Sequence, residues 1–213
     1  GSCFIGSSLA REFSERGHAV IILTRSPQER RDGIREIRWN GEQPGEWVQF
    51  LDGAEAVINL AGKNINCPHT PKNLRAITAS RVNSVKAIAL AIERVKTPPR
   101  VWVQAGAAGF YGDTKDLPCN ESAPPGNGAL AKVCADWETA FTNAQTPQTR
   151  KATLRIGFVL GRAGGALPVS TRLTKFFLGG TAGDGRQYLS WIHLADLTRL
   201  FAAAVEDENL TGA

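Results

Sequence analysis

Apolar residues in this chain fall into short runs that alternate with longer helical repeats. Val20–Thr24 is an apolar run ending at Arg25, Ala56–Leu60 another ending at Ala61-Gly62, and Val101–Ala105 and Thr153–Val159 are two more. Short runs of this kind, bounded by glycine, proline or charge, read as buried strands. Between them Ile77, Val85, Ile88 and Ile92 recur at helical spacing within Leu74–Val95, as do Leu130, Val133, Cys134, Trp137 and Phe141 within Leu130–Phe141. Leu9, Ala10 and Phe13 begin a helical stripe near the start of the chain. Strand alternating with helix predicts a parallel sheet covered on both faces, with Pro98-Pro99 and Pro124-Pro125 punctuating the units. Tyr188–His193 reads as a further strand, and Leu197–Val205 as a helix capped by Asp196. The sequence shows no internal repeat.

Ligands of open parallel sheets bind beyond the carboxyl ends of the strands, so the chemistry is expected at Arg25, Ala61-Gly62, Gly106–Tyr111 and the segment after Val159. The opening residues, Gly1-Ser2-Cys3-Phe4-Ile5-Gly6, read as the second half of a glycine-rich dinucleotide loop running into a helix. A pyrophosphate needs backbone it can approach closely and the free N–H groups of a helix N-terminus. Gly1 and Gly6 suit that turn, whereas Cys3 stands where a glycine is usual. At the tip of the next strand, Leu23-Thr24-Arg25-Ser26 carries no acid. An acidic residue there would accept from the ribose hydroxyls, while an arginine pairs with a 2′-phosphate. Arg25 therefore predicts the phosphorylated dinucleotide, NADP. Asn59-Leu60-Ala61-Gly62 ends another strand with two small residues, Ala61 and Gly62, so that a flat dinucleotide can lie against its backbone. Lys63 either reaches a phosphate or is simply exposed.

Composition narrows the picture without changing it. The 213 residues suffice for one well-buried domain, with 42% hydrophobic and 21% charged positions. A net charge of +5 is scattered, with no basic stripe, which excludes nucleic acid as the expected partner. No apolar stretch is long enough to span a bilayer and no signal-peptide pattern opens the chain, so no membrane association is expected. The cysteines Cys3, Cys67, Cys119 and Cys134 show neither paired nor metal-binding spacing, so a reduced, cytoplasmic protein without metal is expected, with Cys134 a core residue. The chain has no methionine and opens inside a motif. It is therefore expected to lack the first strand and further pieces.

Taken together, Gly1–Gly6, Asn59–Gly62, Gly109-Phe110-Tyr111-Gly112-Asp113, Cys134 with Trp137-Glu138, Leu154–Gly161, and Trp191-Ile192-His193 with Asp196 resemble the extended short-chain dehydrogenase/reductases, specifically their epimerase-like branch. The matching pieces cover nearly the whole chain in family order. The resemblance implies an α/β fold: a Rossmann-type doubly wound parallel sheet over residues 1–213, lacking its first strand, with a truncated C-terminal substrate lobe beginning near residue 162. It also implies NADP(H) held by Gly1, Cys3, Phe4, Ile5, Gly6, Thr24, Arg25, Leu60, Ala61, Gly62, Lys63 and Val159, and a small-molecule substrate. A homodimer through a four-helix interface is common among such folds.

The departures from that family concern its chemistry. The wider superfamily uses a serine or threonine after the fifth strand and a Tyr-x-x-x-Lys on the following helix, the tyrosine serving as acid/base. Gly106 takes the serine position, Leu130 the tyrosine position and Cys134 the lysine position. Tyr111 and Lys115 stand four apart, but Gly112 and Pro118 argue against one helix carrying both. Tyr111 is the candidate acid/base, with packing or substrate contact as its other role. Leu189 stands where sugar-nucleotide epimerases carry a diphosphate-gripping arginine, with Arg186 the nearest replacement. His193 is expected to be a structural hydrogen-bonding residue. Two functions follow: an NADP(H)-dependent oxidoreductase or epimerase with nonstandard acid/base residues, or a sensor that binds NADP(H) with little turnover.

Overall fold

The computed structural model describes residues 3–162, 164–165, 167–181 and 183–213. Gly1, predicted to meet the pyrophosphate, lies outside the described residues. Helix α1 (Phe4–Glu15) buries Gly6, Leu9, Ala10 and Phe13 on one face. Burying each of the larger two side chains contributes roughly 1.5–3 kcal/mol. The chain then forms β1 (Ile21–Thr24) and β2 (Arg35–Arg38), which pair in parallel. β2 escaped the sequence reading because Arg-Glu-Ile-Arg has one apolar residue and no run. A 3-10 turn, Glu46–Leu51, follows and buries Trp47 and Leu51.

Strand β3 (Ala56–Asn59), β4 (Val101–Ala107) and β5 (Arg150–Ile156) form a second parallel ladder in the order β3-β4-β5. β4 is buried along almost its whole length, as expected of a strand covered on both faces. Between β3 and β4 runs α2 (Pro71–Ile92), which starts with proline at its first turn. Thr70 caps it, its hydroxyl accepting from the Asn73 N–H at 3.3 Å. Helix α3 (Ala129–Thr142) packs on α2 and buries Val133, Cys134, Trp137 and Phe141 of the predicted stripe, while Leu130 in its first turn is only partly buried. Trp102 of β4 meets Phe141 edge-on at 4.8 Å.

The run expected over Thr153–Val159 is two strands. β5 ends at Ile156, and β6 (Phe158–Leu160) pairs instead with β7 (Trp191–His193). Gly157 permits the change of partner, since a Cβ there would lie 2.7 Å from the Ser190 carbonyl oxygen. Between β6 and β7 lies α4 (Leu167–Lys175), with no buried residue. Helix α5 (Leu194–Glu206) packs on β4 and α1. Its cap is His193, whose Nδ1 accepts from the Ala195 N–H at 3.2 Å, not Asp196. Asp196 sits inside the first turn and pairs with Arg199. One large apolar cluster, from Leu9 to Val205, joins α1, α2, α3, α5 and the β3-β4-β5 ladder. Among the described residues no helix is long and apolar enough to cross a membrane.

Candidate functional site

Parallel pairing sets the tips of β1 and β2 side by side, so Thr24 stands opposite Arg38. The Trp39 N–H donates to the Thr24 carbonyl at 2.8 Å and carries the ladder one step further. Beyond it opens a cleft of ≈ 380 Å³ lined by Arg25, Arg38, Trp39, Asn40, Gln43 and Trp47, among others. The two tryptophan rings meet tilted at 53° with centres 5.1 Å apart, and both indole N–H groups donate to the Gln43 carbonyl, which makes a fixed wall. Among the described residues neither Arg25 nor Arg38 has an acidic partner. Arg30, close by in sequence, is by contrast bound to Asp32 and Glu36. Two cations facing one cleft with no acidic partner among the described residues are suited to hold an anion. Arg38 was invisible in the sequence because its strand was.

At the tip of β3 a buried polar network fixes the backbone. Asn59, 2% exposed, donates to Gln104 Oε1 at 2.9 Å and to Ser84 Oγ at 3.2 Å, and accepts from the Ala61 N–H at 3.0 Å. Gln104 Nε2 in turn donates to the Ala105 carbonyl. Each member is satisfied, which makes such a network rigid. It holds Leu60, Ala61 and Gly62 where β3 ends. Lys63 is exposed, its N–H bound to Ser80 Oγ at 2.8 Å and its carbonyl accepting from Arg81. The guanidinium of Arg81 lies against Gly62: a Cβ there would be 3.1 Å from Arg81 Cζ. A side chain at 62 would press on the Arg81 guanidinium, so glycine there gives it room.

Cys3 precedes the first turn of α1 and is exposed, with no side-chain cap bond. The first N–H groups of a helix have no intrahelical acceptor, so those after Cys3 are available to an anion. Ile5 packs on the main core. Phe4 lies against the glycines that follow β6, where a Cβ on Gly161 would approach its ring to 2.6 Å. Val159, in β6, packs on the main core. The structure thus brings Phe4 to the segment after Val159, two of the predicted residues from opposite ends of the chain.

Where the superfamily places its reacting groups, the structure shows a different constellation. Gly106 faces Arg155 across the β4–β5 ladder, and a Cβ on Gly106 would come within 3.1 Å of Glu138 Oε1. Glu138 fills the space beside Gly106. Arg155 binds Glu138 through Nε and Nη2 at 2.9–3.2 Å, with both side chains 12% exposed. Its Nη1 donates to Tyr111 Oη at 2.8 Å and to the Glu121 carbonyl at 2.9 Å, and its Cζ stacks 3.9 Å above Phe110. The hydrogen bonds that Arg155 donates to Glu138, foremost, raise the Arg155 pKa against the opposing effect of burial. Tyr111 ends a 3-10 turn, Ala108–Tyr111, and Gly112 follows at φ 65°, so no helix joins Tyr111 to Lys115. Lys115 instead pairs with Asp113 at the surface. Burial pushes the Cys134 thiol upward, opposed by the nearby Arg81. Glu138, Arg155, Arg81, Ser84 and Gln104 carry roles that sequence spacing does not announce, because each depends on a partner in another element.

A second cleft, ≈ 440 Å³, lies along α4 between Arg162, Leu167, Pro168, Arg172, Lys175 and Phe176. Its cations have no acidic partner among the described residues. Arg186, the proposed replacement for the arginine missing at Leu189, is exposed and bends its N–H to Asp184.

The family model for the NAD dependent epimerase/dehydratase family matches residues 1–212. An epimerase family protein of Arabidopsis thaliana, the chloroplastic SDR39U1 homolog, is 33% identical over 98% of this chain and 61% of its own length. The human epimerase family protein SDR39U1, solved with NADPH, superposes with a TM-score of 0.86 at 30% identity, over 99% of this chain and 70% of that one. A nucleoside-diphosphate sugar epimerase from Corynebacterium glutamicum gives a TM-score of 0.77 at 32% identity, over 98% of this chain and 43% of that one. This chain spans less than two thirds of the plant relative's length. It belongs to the NAD dependent epimerase/dehydratase family and has its Rossmann-like α/β fold.

Proposed function

We propose, from membership of that family, that the protein binds NADP(H) and acts as an oxidoreductase or epimerase-like enzyme on an anionic carbonyl or sugar-nucleotide substrate. The observation that carries the cofactor is the cleft with Arg25 and Arg38 facing it and, among the described residues, no carboxylate paired with either. A 2′-phosphate would satisfy both, and the wall of Trp39 and Trp47 suits the flat base beside it. The pyrophosphate would meet the start of α1, with Gly1, Cys3, Phe4, Ile5 and Gly6, and the remainder would follow Leu60, Ala61, Gly62 and Lys63 toward Val159. Thr24 holds the β1 tip. The NADPH bound to the human relative supports the same choice of cofactor. When bound, the nicotinamide supplies hydride transfer.

For the protein's own chemistry, Tyr111 is the acid/base candidate. Arg155 donates to its oxygen, so the hydroxyl's own proton points to another acceptor. The basic, partly apolar cleft along α4 supports an anionic substrate with an apolar portion. A second reading, a sensor with little turnover, draws on Gly106 and Cys134: one leaves space that Glu138 occupies, and the other is a buried thiol.

The test is calorimetric titration with NADPH and with NADH at matched salt, followed by a carbonyl and sugar-nucleotide panel with wild type and Tyr111→Phe. NADPH bound tightly and NADH weakly supports the cofactor reading, and no binding of either removes it. Turnover abolished by Tyr111→Phe without loss of NADPH supports the enzyme. Tight binding with no turnover on any member of the panel favours the sensor.

A further inference from the structure

Arg81 projects from α2 into the space between the tip of β3 and α3. Its Nη1 donates to the Lys63 carbonyl at 3.0 Å and to the Ile77 carbonyl at 3.3 Å. Its guanidinium lies on Gly62 on one side and 5.0 Å from the Trp137 ring centre on the other. Among the described residues no carboxylate approaches it, and its Nε and Nη2 hydrogens find no acceptor. The charge is half-buried, and that burial lowers its pKa. Removing a guanidinium from water without a counter-charge is costly, so the arrangement suits a residue that receives its partner from outside the chain.

Its neighbours say which partner. Gly62 ends the β3 tip along which the dinucleotide would run. Cys134, at the position of the superfamily's lysine, lies close enough for the Arg81 charge to act on its thiol. The space a lysine on α3 would command is thus reached by a cation from α2. We propose that Arg81 supplies this charge in place of the missing lysine, its free N–H groups hydrogen-bonding the ribose hydroxyls at the nicotinamide end of NADP(H). This rests on the NADP(H) reading above. Arginine keeps its proton at all ordinary pH, so the residue orients the ribose and does not relay protons. That division leaves proton transfer to Tyr111.

The experiment compares NADPH with adenosine 2′,5′-bisphosphate, which carries the 2′-phosphate end but no nicotinamide ribose. Arg81→Gln is expected to weaken NADPH about 10- to 150-fold, the range for hydrogen bonds to a charged group, and to leave the bisphosphate unchanged. Adding Cys134→Lys to Arg81→Gln returns a cation from the α3 side and restores most of the NADPH affinity. A lysine there cannot remake the bonds to the Lys63 and Ile77 carbonyls, so a residue that merely clamps the loop would show no such recovery. Unchanged NADPH affinity in Arg81→Gln, or no recovery in the double variant, overturns the inference. If Arg81→Gln also loses the bisphosphate, the fold is disturbed and Arg81→Lys decides. NADPH affinity within about tenfold of wild type then supports the inference, and its loss overturns it. Should wild type bind neither ligand, the NADP(H) reading itself falls and this assignment with it.

Discussion

Arginines stand at the tips of β1 and β2 and at the end of β5, and the two places treat them in opposite ways. Arg155 at the end of β5 is held on every side, by two Glu138 oxygens, the Tyr111 hydroxyl, the Glu121 carbonyl and the Phe110 ring. Arg25 and Arg38 face their cleft with no acid near them among the described residues. Nearly buried and fully bonded, Arg155 ties β5, α3 and the Tyr111 turn into one rigid piece. The exposed pair does nothing comparable for the fold, which leaves its charge available to a ligand. Residue type alone therefore does not separate a binding arginine from a structural one. The distinction is made by whether the protein supplies the counter-charge.

The sharpest way to break this comparison is to remove the counter-charge from the saturated side. Glu138→Ala leaves Arg155 nearly buried without its carboxylate, and breaking a buried pair in this way costs about 3–5 kcal/mol. For a domain of this size the melting temperature should fall by roughly 6–20 °C in thermal unfolding. A fall of only a degree or two would mean that water replaces Glu138 freely, and that Arg155 is no more structural than Arg25.

A smaller effect is expected on the open side, and it should appear in binding while stability stays put. On the proposed reading, Arg25→Asp would remove a charge-assisted bond to the 2′-phosphate and place an acid where ribose hydroxyls would pass. NADPH should weaken about 10- to 150-fold while NADH changes little. Arg38→Leu should move NADPH in the same direction by less. Calorimetric titration reads both, with the melting temperature as the control. Equal losses of NADPH and NADH would remove Arg25 from the 2′-phosphate site.

These two regions also mark how far the sequence could be read. The buried strands and helices were legible because their apolar residues recur at fixed spacing: α3 buries all of its predicted stripe but Leu130, β1 ends at Thr24 as expected, and β3 ends at Asn59, one residue short of Leu60. β2 was not legible, since Arg35, Glu36 and Arg38 outnumber Ile37 and its order comes from pairing with β1. The division of Thr153–Val159 into β5 and β6 was equally hidden, because it depends on the approach of Ser190 to Gly157. Arg25 stood out at a strand tip, as did the gaps in the usual chemistry at Gly106, Leu130 and Cys134. Their replacements did not stand out. Glu138, Arg155 and Arg81 acquire meaning only from neighbours brought by other elements, and no spacing encodes that.

The smallest expected effect concerns the start of α1, the proposed place of the pyrophosphate, where the comparison can be sharpened further. Here the attraction comes from backbone N–H groups, with no side-chain charge, and is worth about 0.3–1 kcal/mol for an anion at a helix N-terminus. Cys3 stands before that turn in extended conformation, at φ −83° and ψ 177°, so its backbone does not require glycine. What glycine would change is the side chain: it would remove the Cβ and Sγ next to the first N–H groups and let a pyrophosphate approach them more closely. Glycine is also tolerated well as a helix cap, so the helix itself should not suffer. Cys3→Gly should therefore tighten NADPH by about two- to fivefold, with NADH tightened by the same factor because both carry the pyrophosphate. That equality separates the backbone site from Arg25, whose replacement affects the two cofactors unequally. If Cys3→Gly leaves both unchanged, the thiol does not obstruct the loop. If it weakens both, the Cys3 side chain is itself a contact for the dinucleotide.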